Sequence, residues 1–411
     1  MSISSTPTPP TSARRRDVRR LAGAHLISLT GSEAAFTALT FTIYQRTGSA
    51  GWAAAALFLA CGTLGVLSPV AGSLGDHFDR RRVMIASDLA RAVCFASLAF
   101  VHSPASLLGL AFLAAAAASP FYSAAQASVP NLVGPEDVAW ANGTVSMGMN
   151  VGYTLGPMLG GVLVAAVGAP TVFLLNAISF VASAGLVRVV RGSFTGGRED
   201  AGAHRGMRAG FRFIARDAVL RRIMLAFVVF LLAVGSVLVA NLPLARGFHV
   251  GAAGYGLLLT AWGVGALPGA WAARRLGERT ERRALVGFSF LTALALASVS
   301  VLPVFTPIIL ALFVAGASDG IVDVAAMGIF QRRTPDAVRS RVLAVLDGAL
   351  MVAFAVSFLF AGALVEAFGP RAAYAVAGAG CLVAAILLVP LLRGSPQEAM
   401  SHGVAAEPSV P

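Results

Sequence analysis

The sequence predicts an all-α membrane protein with twelve transmembrane helices, and its composition and patterning support this fold class. Of the 411 residues, 57% are hydrophobic and only 12% are charged, and the mean hydropathy is +0.78. Soluble domains carry about 25% charged residues, so the composition leaves no room for a sizeable soluble domain. The apolar residues form twelve runs of about 20 residues, which is the length of a helix that crosses a hydrocarbon core of about 30 Å.

The distribution of basic residues, all 31 of which are arginine, supports the same class. If the N-terminus is cytoplasmic, only Arg46, Arg246 and Arg371 fall in external loops and Arg91 falls within a helix. The other arginines then lie in cytoplasmic segments, as the positive-inside rule requires when both termini are cytoplasmic. The net charge of +12 therefore indicates topology and contact with the lipid bilayer, and we expect no nucleic-acid partner.

Polar segments divide the chain into two halves of six apolar runs each. Residues 1–20 and 393–411 predict cytoplasmic tails, the first of them disordered, and residues 21–190 and 223–392 predict two six-helix bundles. The predicted helices are, in order, Leu21–Tyr44, Trp52–Leu74, Val83–Val101, Ala105–Ser128, Gly143–Val167, Thr171–Val190, Ile223–Leu244, Ala253–Ala273, Ala284–Val304, Pro307–Phe330, Val342–Phe368 and Ala372–Leu392.

The basic linker of residues 191–222 joins the two bundles. Its second part, MRAGFRFIARDAVLRR, places Phe211, Ile214 and Val219 on one side of a helix among five arginines. An apolar stripe surrounded by arginine predicts an amphipathic helix on the cytoplasmic surface of the membrane.

A short charged segment between the second and third runs carries the first motif. It reads GSLGDHFDRRRVM, and its defined positions are Gly72, Leu74, Gly75, Asp76, Arg80 and Arg81. This spacing resembles the loop between helices 2 and 3 of the major facilitator superfamily, roughly G-x-L-[AG]-D-R-x-G-R-[RK]. His77 and Asp79 replace the usual Arg and Gly, and a similar variant occurs in macrolide-efflux relatives. The resemblance implies a gating role for Asp76, which would face the N-terminus of helix 11 in the cytoplasm-closed state; a plain loop turn is the alternative.

The fifth predicted helix carries a second motif, GYTLGPMLGG. Its defined positions are Gly152, Gly156, Pro157, Gly160 and Gly161. The motif matches the antiporter pattern g-x-x-x-G-P-x-x-G-G of drug-exporting facilitators, while ordinary tight helix packing is the alternative. With both motifs and the six-plus-six layout, the chain resembles drug:proton antiporters of this superfamily, similar to macrolide-efflux and siderophore-exporter relatives. The resemblance implies two bundles related by a pseudo-two-fold axis.

Charged residues inside predicted membrane helices are functional candidates, because each costs about 2.5–3.5 kcal/mol at the bilayer centre. Glu33 lies near the middle of the first helix, where burial favours its protonated form; we expect either proton coupling or a polar bond to a neighbouring helix. Asp319 and Asp323 are four residues apart and share one helix face. They predict proton coupling or cation recognition, with cavity hydration or pairing with Arg332 as the alternative.

Three further charged residues predict structural or gating roles. Asp88 and Arg91 are three residues apart on the third helix and predict an internal ion pair. Asp347 lies two turns into the eleventh helix, where it is a candidate to bond to the Arg80–Arg82 cluster when the inner gate closes.

The predicted function is export of a hydrophobic or amphipathic small molecule in exchange for protons, across a bacterial cytoplasmic membrane. The alternatives are solute uptake by proton symport and a non-transporting receptor or scaffold. The sequence shows no phosphate-binding loop and six scattered histidines, so we expect no enzyme and no cofactor or metal, the proton being the coupling ion. We also expect a monomer. Candidate cavity-lining aromatics, which on membrane helices commonly pack instead, are Phe36, Tyr44, Tyr122 and Tyr153.

Overall fold

The computed structural model describes residues 11–133, 137–191, 194 and 203–392, apart from the side chains of some helical stretches such as 64–66, 68–77 and 203–209. The elements are α1 (Thr11–Thr47), α2 (Ala50–His77), α3 (Arg80–Leu98), α4 (Pro104–Leu132), α5 (Val138–Val167), α6 (Ala169–Val189), α7 (Ala203–Arg216), α8 (Ala218–Gly247), α9 (Gly251–Ala273), α10 (Glu278–Val299), α11 (Phe305–Arg333) and α12 (Asp336–Leu388), followed by a 3-10 turn (Val389–Leu392).

The last long helix, α12, contains two membrane spans. Gly369 interrupts it with a φ of 81° and a ψ of 170°, a left-handed conformation that glycine adopts without steric cost. The two arms of α12, together with α1–α6 and α8–α11, give the twelve helices that the sequence predicts. Within the described residues, nine segments meet a length and hydropathy criterion for crossing a membrane, and the last of them, Arg341–Leu392, spans both arms.

The two ends of the bundle differ in their arginine content. We call the end that carries the loops around residues 48, 102, 168, 249, 302 and 369 the arginine-poor end, and the opposite end the arginine-rich end. Each half has its own apolar core, but one cluster at the arginine-poor end combines both halves. It joins Tyr44 and Leu57 of the N-terminal half to Tyr255, Phe358 and Tyr374 of the C-terminal half.

The first helix begins earlier than the sequence predicts. Residues 1–20 were expected to form a disordered tail, but α1 already begins at Thr11. Val18 and Leu21 are fully buried in a core cluster, and the Asp17 carboxylate accepts a hydrogen bond from the Arg191 backbone N–H at 3.1 Å. These contacts hold a charged helical extension beyond the apolar run, so the prediction was wrong for this part of the tail.

The linker helix is shorter than predicted and presents a different face. Asp217 ends the linker helix and caps α8, because its carboxylate accepts from the N–H groups of Val219 and Leu220 at 2.8 and 3.0 Å. The predicted continuous helix through Arg222 is therefore wrong. Ile214 is fully buried in the C-terminal half, whereas Phe211 is 59% exposed, so the two do not share one buried face.

Candidate functional site

The antiporter motif on α5 packs directly against α1 at the level of Glu33. A methyl group at Gly156 would lie 2.4 Å from Glu33 Cβ and 2.9 Å from the Thr30 carbonyl oxygen. A real Cβ never approaches other atoms so closely, so only glycine fits this position. Pro157 follows inside α5, where it removes one backbone hydrogen bond.

The neighbouring motif glycines continue the same contact along α1. A Cβ at Gly152 would lie 3.1 Å from Leu29 Cβ, and one at Gly160 would lie 2.5 Å from the Ala34 carbonyl oxygen. Spaced four residues apart, these glycines form one face of α5 that lies against the backbone of α1. The motif therefore fixes the helix that carries Glu33.

The last glycine of the motif lies where the two halves of the molecule meet. A Cβ at Gly161 would be 2.5 Å from the Gly256 Cα of α9, and a Cβ at Gly256 would be 2.8 Å from the Gly161 Cα. The two helices thus touch backbone to backbone. One short motif consequently connects the Glu33 helix to the interface between the halves.

Glu33 lies among polar aromatic side chains at the centre of the N-terminal half. It is half-buried, and it is close enough to Tyr122 and Tyr153 to interact with both electrostatically. It also interacts electrostatically with Tyr255 of α9 in the other half, whose hydroxyl lies 3.2 Å from Thr40 Oγ1. The charge state of Glu33 is therefore coupled electrostatically to groups on α4, α5 and α9.

Hydrogen bonds join the two halves at the arginine-poor end. The Glu366 carboxylate on α12 accepts hydrogen bonds from the Ser49 hydroxyl and, at 2.9 Å, from the Gly51 backbone N–H at the start of α2. A Cβ at Gly362 would lie 2.8 Å from the Gly51 Cα, so α12 and α2 also touch closely here. A carboxylate thus caps the N-terminus of a helix in the other half.

The described ion pairs at the arginine-rich end join residues of the same half. Asp217 accepts from Arg333 Nε at 2.9 Å, and Glu281 pairs with Arg332. In the N-terminal half, Arg15 pairs with Asp137 at 3.3 Å. The hydrogen bonds described above between the halves lie toward the arginine-poor end, and a further contact, between Thr154 of α5 and Gly263 of α9, lies near the middle of both helices.

The predicted Asp319–Asp323 pair lies on α11, but the two side chains face different spaces. Asp319 lines a small cavity of about 20 Å³ inside the C-terminal bundle, with Ser289 and Thr292 among its neighbours. Asp323 lines a larger cavity of about 330 Å³ together with Asp347 of α12. The structure thus brings Asp347, predicted as a gating residue, onto the same cavity wall as Asp323.

The predicted Asp88–Arg91 ion pair is present and buried inside the N-terminal half. Their side chains are paired on α3 and expose at most 3% of their surface. The Arg91 guanidinium lies 4.6 and 4.3 Å from the centres of the Phe121 and Phe180 rings, which add cation–π contacts. Burial on all sides indicates a structural role.

The gating motif is only partly described. The side chains of Gly72, Leu74, Gly75 and Asp76 lie outside the described residues, so the predicted gating contact stays a prediction. Arg80 donates to the Phe194 carbonyl oxygen at 3.3 Å, and the Arg81 guanidinium lies 4.9 Å from the Phe194 ring centre. These two arginines therefore contact the segment that follows α6.

The aromatic candidates occupy different positions. Neither described cavity is lined by any of the four. Tyr44 is buried in the cluster at the arginine-poor end, and Phe36 packs against the same cluster. Tyr122 lies beside His25, with 6.4 Å between ring centres, while Tyr153 is 48% exposed on α5.

Comparison with known proteins shows the family. A model described as "transmembrane secretion effector" (MFS_3) matches residues 14–408. The chain belongs to this family of the major facilitator superfamily. Three bacterial facilitators are similar to this chain. The MFS-type transporter YfiS of Bacillus subtilis is 28% identical over 80% of this chain and 81% of its own length. The multidrug efflux pump Tap of Mycobacterium tuberculosis H37Rv is 29% identical (85% and 87% coverage), and the enterobactin exporter EntS of Citrobacter koseri is 27% identical (79% of each).

Solved facilitator structures share the fold. A bacterial homologue of the human lysosomal transporter Spinster, inward-facing and unoccupied, matches with a TM-score of 0.72 at 14% identity, covering 93% of this chain and 96% of its own. A bacterial homologue of the iron transporter ferroportin, inward-facing, gives 0.71 at 17% identity, with 92% and 99% coverage. The same homologue in the outward-facing state gives 0.62, again at 17% identity, with 92% and 100% coverage.

The contact that Glu366 makes between the two halves was not predicted from the sequence. It lies near the end of an apolar run, where a carboxylate is expected to reach water, so nothing in the local sequence marks it. Its partners, Ser49 and Gly51, lie in the opposite half of the chain. The sequence did contain one signal for such a cap, the short GSAG segment at residues 48–51. It begins a helix that has no acidic residue in its first turn.

Proposed function

We propose that this facilitator exports hydrophobic or amphipathic small molecules from the bacterial cytoplasm in exchange for protons, by alternating access. The observation that supports this most is the antiporter motif, which packs its glycines on the Glu33 helix and reaches the interface between the halves at Gly161. Protonation of Glu33 changes the charge on the helix that this motif holds. The motif therefore gives a direct mechanical route from a proton-binding group to the movement of one half against the other.

The distribution of arginine supports the orientation. The arginine-poor end is proposed to face the outside, which makes both termini cytoplasmic and the protein a multi-pass plasma-membrane protein. The hydrogen bonds of Glu366 and the Thr40–Tyr255 pair join the halves at this end, so we propose that it is the closed end of the transport path in this structure. The Glu366 cap and the Thr40–Tyr255 hydrogen bond would have to break for the outer side to open.

Two acidic centres, one in each half, are proposed to carry protons. Glu33 lies at the centre of the N-terminal half, and Asp319 lies in its small cavity within the C-terminal half, with Asp323 one turn away. Asp319 is the group in the smaller space, where partial desolvation favours the protonated carboxyl, so it is the candidate to retain and exchange a proton. The named relatives Tap and EntS are an efflux pump and an exporter, which supports the outward direction.

The test uses inside-out membrane vesicles with a lumenal pH probe and an imposed pH gradient. Macrolides, dyes and siderophore-like compounds are added to vesicles containing wild type, Glu33→Gln or the double variant Asp319→Asn/Asp323→Asn. We expect proton release on addition of a substrate by wild type and its loss in the variants. Arg371→Gln, a substitution at the outer surface within one half, serves as the matched control.

Two results would contradict this proposal. Gradient-driven uptake of a solute by intact cells, with no response to any compound in vesicles, would favour proton symport. Wild-type proton release by Glu33→Gln and by the double aspartate variant would remove these groups from the coupling mechanism while leaving export itself intact.

A further inference from the structure

The larger cavity in the C-terminal half combines an apolar wall with two carboxylates. Its volume is about 330 Å³, within the range of about 300–1,000 Å³ typical of small-molecule sites. Residues from three helices form the apolar wall: Ile223, Phe227, Met327, Phe330, Leu346 and Leu350. Asp323 and Asp347 are the only charged residues among its described lining, and they come from different helices.

The basic residues nearest along α11 have acidic partners outside this cavity. Arg332 pairs with Glu281 of α10, and Arg333 donates to Asp217 at the start of α8. Both arginines thus bind acidic groups outside the cavity. The cavity lining thus places two carboxylates next to large apolar and aromatic surfaces.

The smaller cavity keeps Asp319 apart from this site. At about 20 Å³ it has room for about one water molecule. Phe227 borders both cavities, so its ring lies between the two spaces. The larger cavity is therefore lined by Asp323 and Asp347, whereas Asp319 lines the smaller one.

We propose that the larger cavity is the binding site for the lipophilic part and positive charge of an amphipathic cation, with Asp323 and Asp347 as its charge-recognition residues. A cation with large apolar groups can pack against the aromatic wall and pair with the carboxylates, whereas an anion of the same shape would be repelled. The inference rests on the proposed export function, and it narrows the substrate class from hydrophobic molecules in general to organic cations. It also divides the acidic residues of α11 into a substrate-facing Asp323 and an enclosed Asp319.

The test compares two probes of the same shape and opposite charge, tetraphenylphosphonium and tetraphenylborate. Equilibrium binding to the purified full-length chain in detergent is measured for both, with protein-free micelles as the blank. We expect saturable tetraphenylphosphonium binding that tetraphenylborate does not displace. Asp323→Asn and Asp347→Asn should each weaken binding at least tenfold, and Asp347→Glu should preserve it within about threefold, because the charge is kept.

Asp137→Asn, which neutralises a carboxylate outside the cavity, is the matched control and should bind like wild type. All variants are checked for monodispersity and thermal unfolding, so that loss of binding is not confused with loss of folding. Equal binding of the two probes, or unchanged affinity in both aspartate variants, would overturn the proposal. Because binding is measured without a proton gradient, this result is independent of whether the protein exports its substrate.

Discussion

At the scale of single residues, Gly156 shows how tightly the antiporter motif is constrained. The space that a side chain would occupy at this position belongs to Glu33 and to the Thr30 backbone. Gly156→Ala forces α5 away from α1, and such overpacking costs about 1–3 kcal/mol. We expect a lower thermal unfolding temperature and a loss of transport, measured by intrinsic fluorescence and by the vesicle assay.

Gly143, on the same helix, provides the control for this substitution. Nothing lies within 4 Å of a Cβ built there. Gly143→Ala should be neutral or stabilise the protein by up to about 1 kcal/mol, because alanine loses less backbone freedom than glycine in a helix. If Gly156→Ala and Gly143→Ala have the same effect on thermal unfolding and transport, the motif does not act through the close contact between α5 and α1.

The buried pair on α3 supports a second residue-level prediction. Asp88→Asn leaves the Arg91 guanidinium buried without its carboxylate, and breaking a buried pair in this way costs about 3–5 kcal/mol. We expect a large fall in thermal stability. The double variant Asp88→Leu/Arg91→Met removes both charges and should be more stable than the single variant.

An unfolding temperature for Asp88→Asn equal to that of wild type would contradict the assignment of Asp88 as the counterion. A double variant less stable than the single one would show instead that the guanidinium contributes mainly through its contacts with the Phe121 and Phe180 rings.

At the scale of helices, the cap formed by Glu366 on α2 predicts a conformational bias. A carboxylate at a helix N-terminus stabilises it by about 0.3–1 kcal/mol. Glu366→Gln should therefore shift the equilibrium toward opening of the arginine-poor end by about two- to fivefold. The distance between the halves is measured by pulsed electron paramagnetic resonance. The spin labels are attached to Ser103→Cys and Val301→Cys in a background without Cys61, Cys94 and Cys381.

Arg371→Gln is the matched control for this helix contact. Arg371 lies at the same end, but its guanidinium donates to the Leu302 carbonyl oxygen within its own half, at 3.2 Å. Arg371→Gln should leave the distribution of distances between the two spin labels unchanged. An unchanged distribution in Glu366→Gln as well would mean that the cap does not contribute to closure.

At the scale of the whole molecule, the orientation predicts which loops reach the outside. Ser103→Cys lies at the arginine-poor end, and Phe78→Cys lies at the arginine-rich end with an exposed native side chain. We expect a membrane-impermeant maleimide to label the first variant in intact cells and the second only after permeabilisation. The reverse pattern would invert the proposed topology and the direction of transport.

Much of this architecture could be predicted from sequence because its signals are local. Apolar runs identify membrane helices, and a spacing of three residues brings Asp88 to Arg91 on one turn. The extension of α1 escaped prediction because Asp17 finds its partner far along the chain, at Arg191. The cap at Asp217 uses the nearby N–H groups of Val219 and Leu220, a local signal that the amphipathic pattern through Arg222 obscured. The different surroundings of Asp319 and Asp323 also depend on how α8, α10 and α12 pack around α11, which no spacing along one helix encodes.

The bare contact between Gly161 and Gly256 has a mechanical consequence for the whole molecule. No side chain lies between the two backbones here, so α5 and α9 can change their crossing angle at this contact without a side chain leaving a groove. The contact lies toward one end of both helices, so in the proposed rocking of the halves the opposite end would move through the larger arc. The hydrogen bonds of Glu366 at the arginine-poor end would then restrain a larger movement at the arginine-rich end.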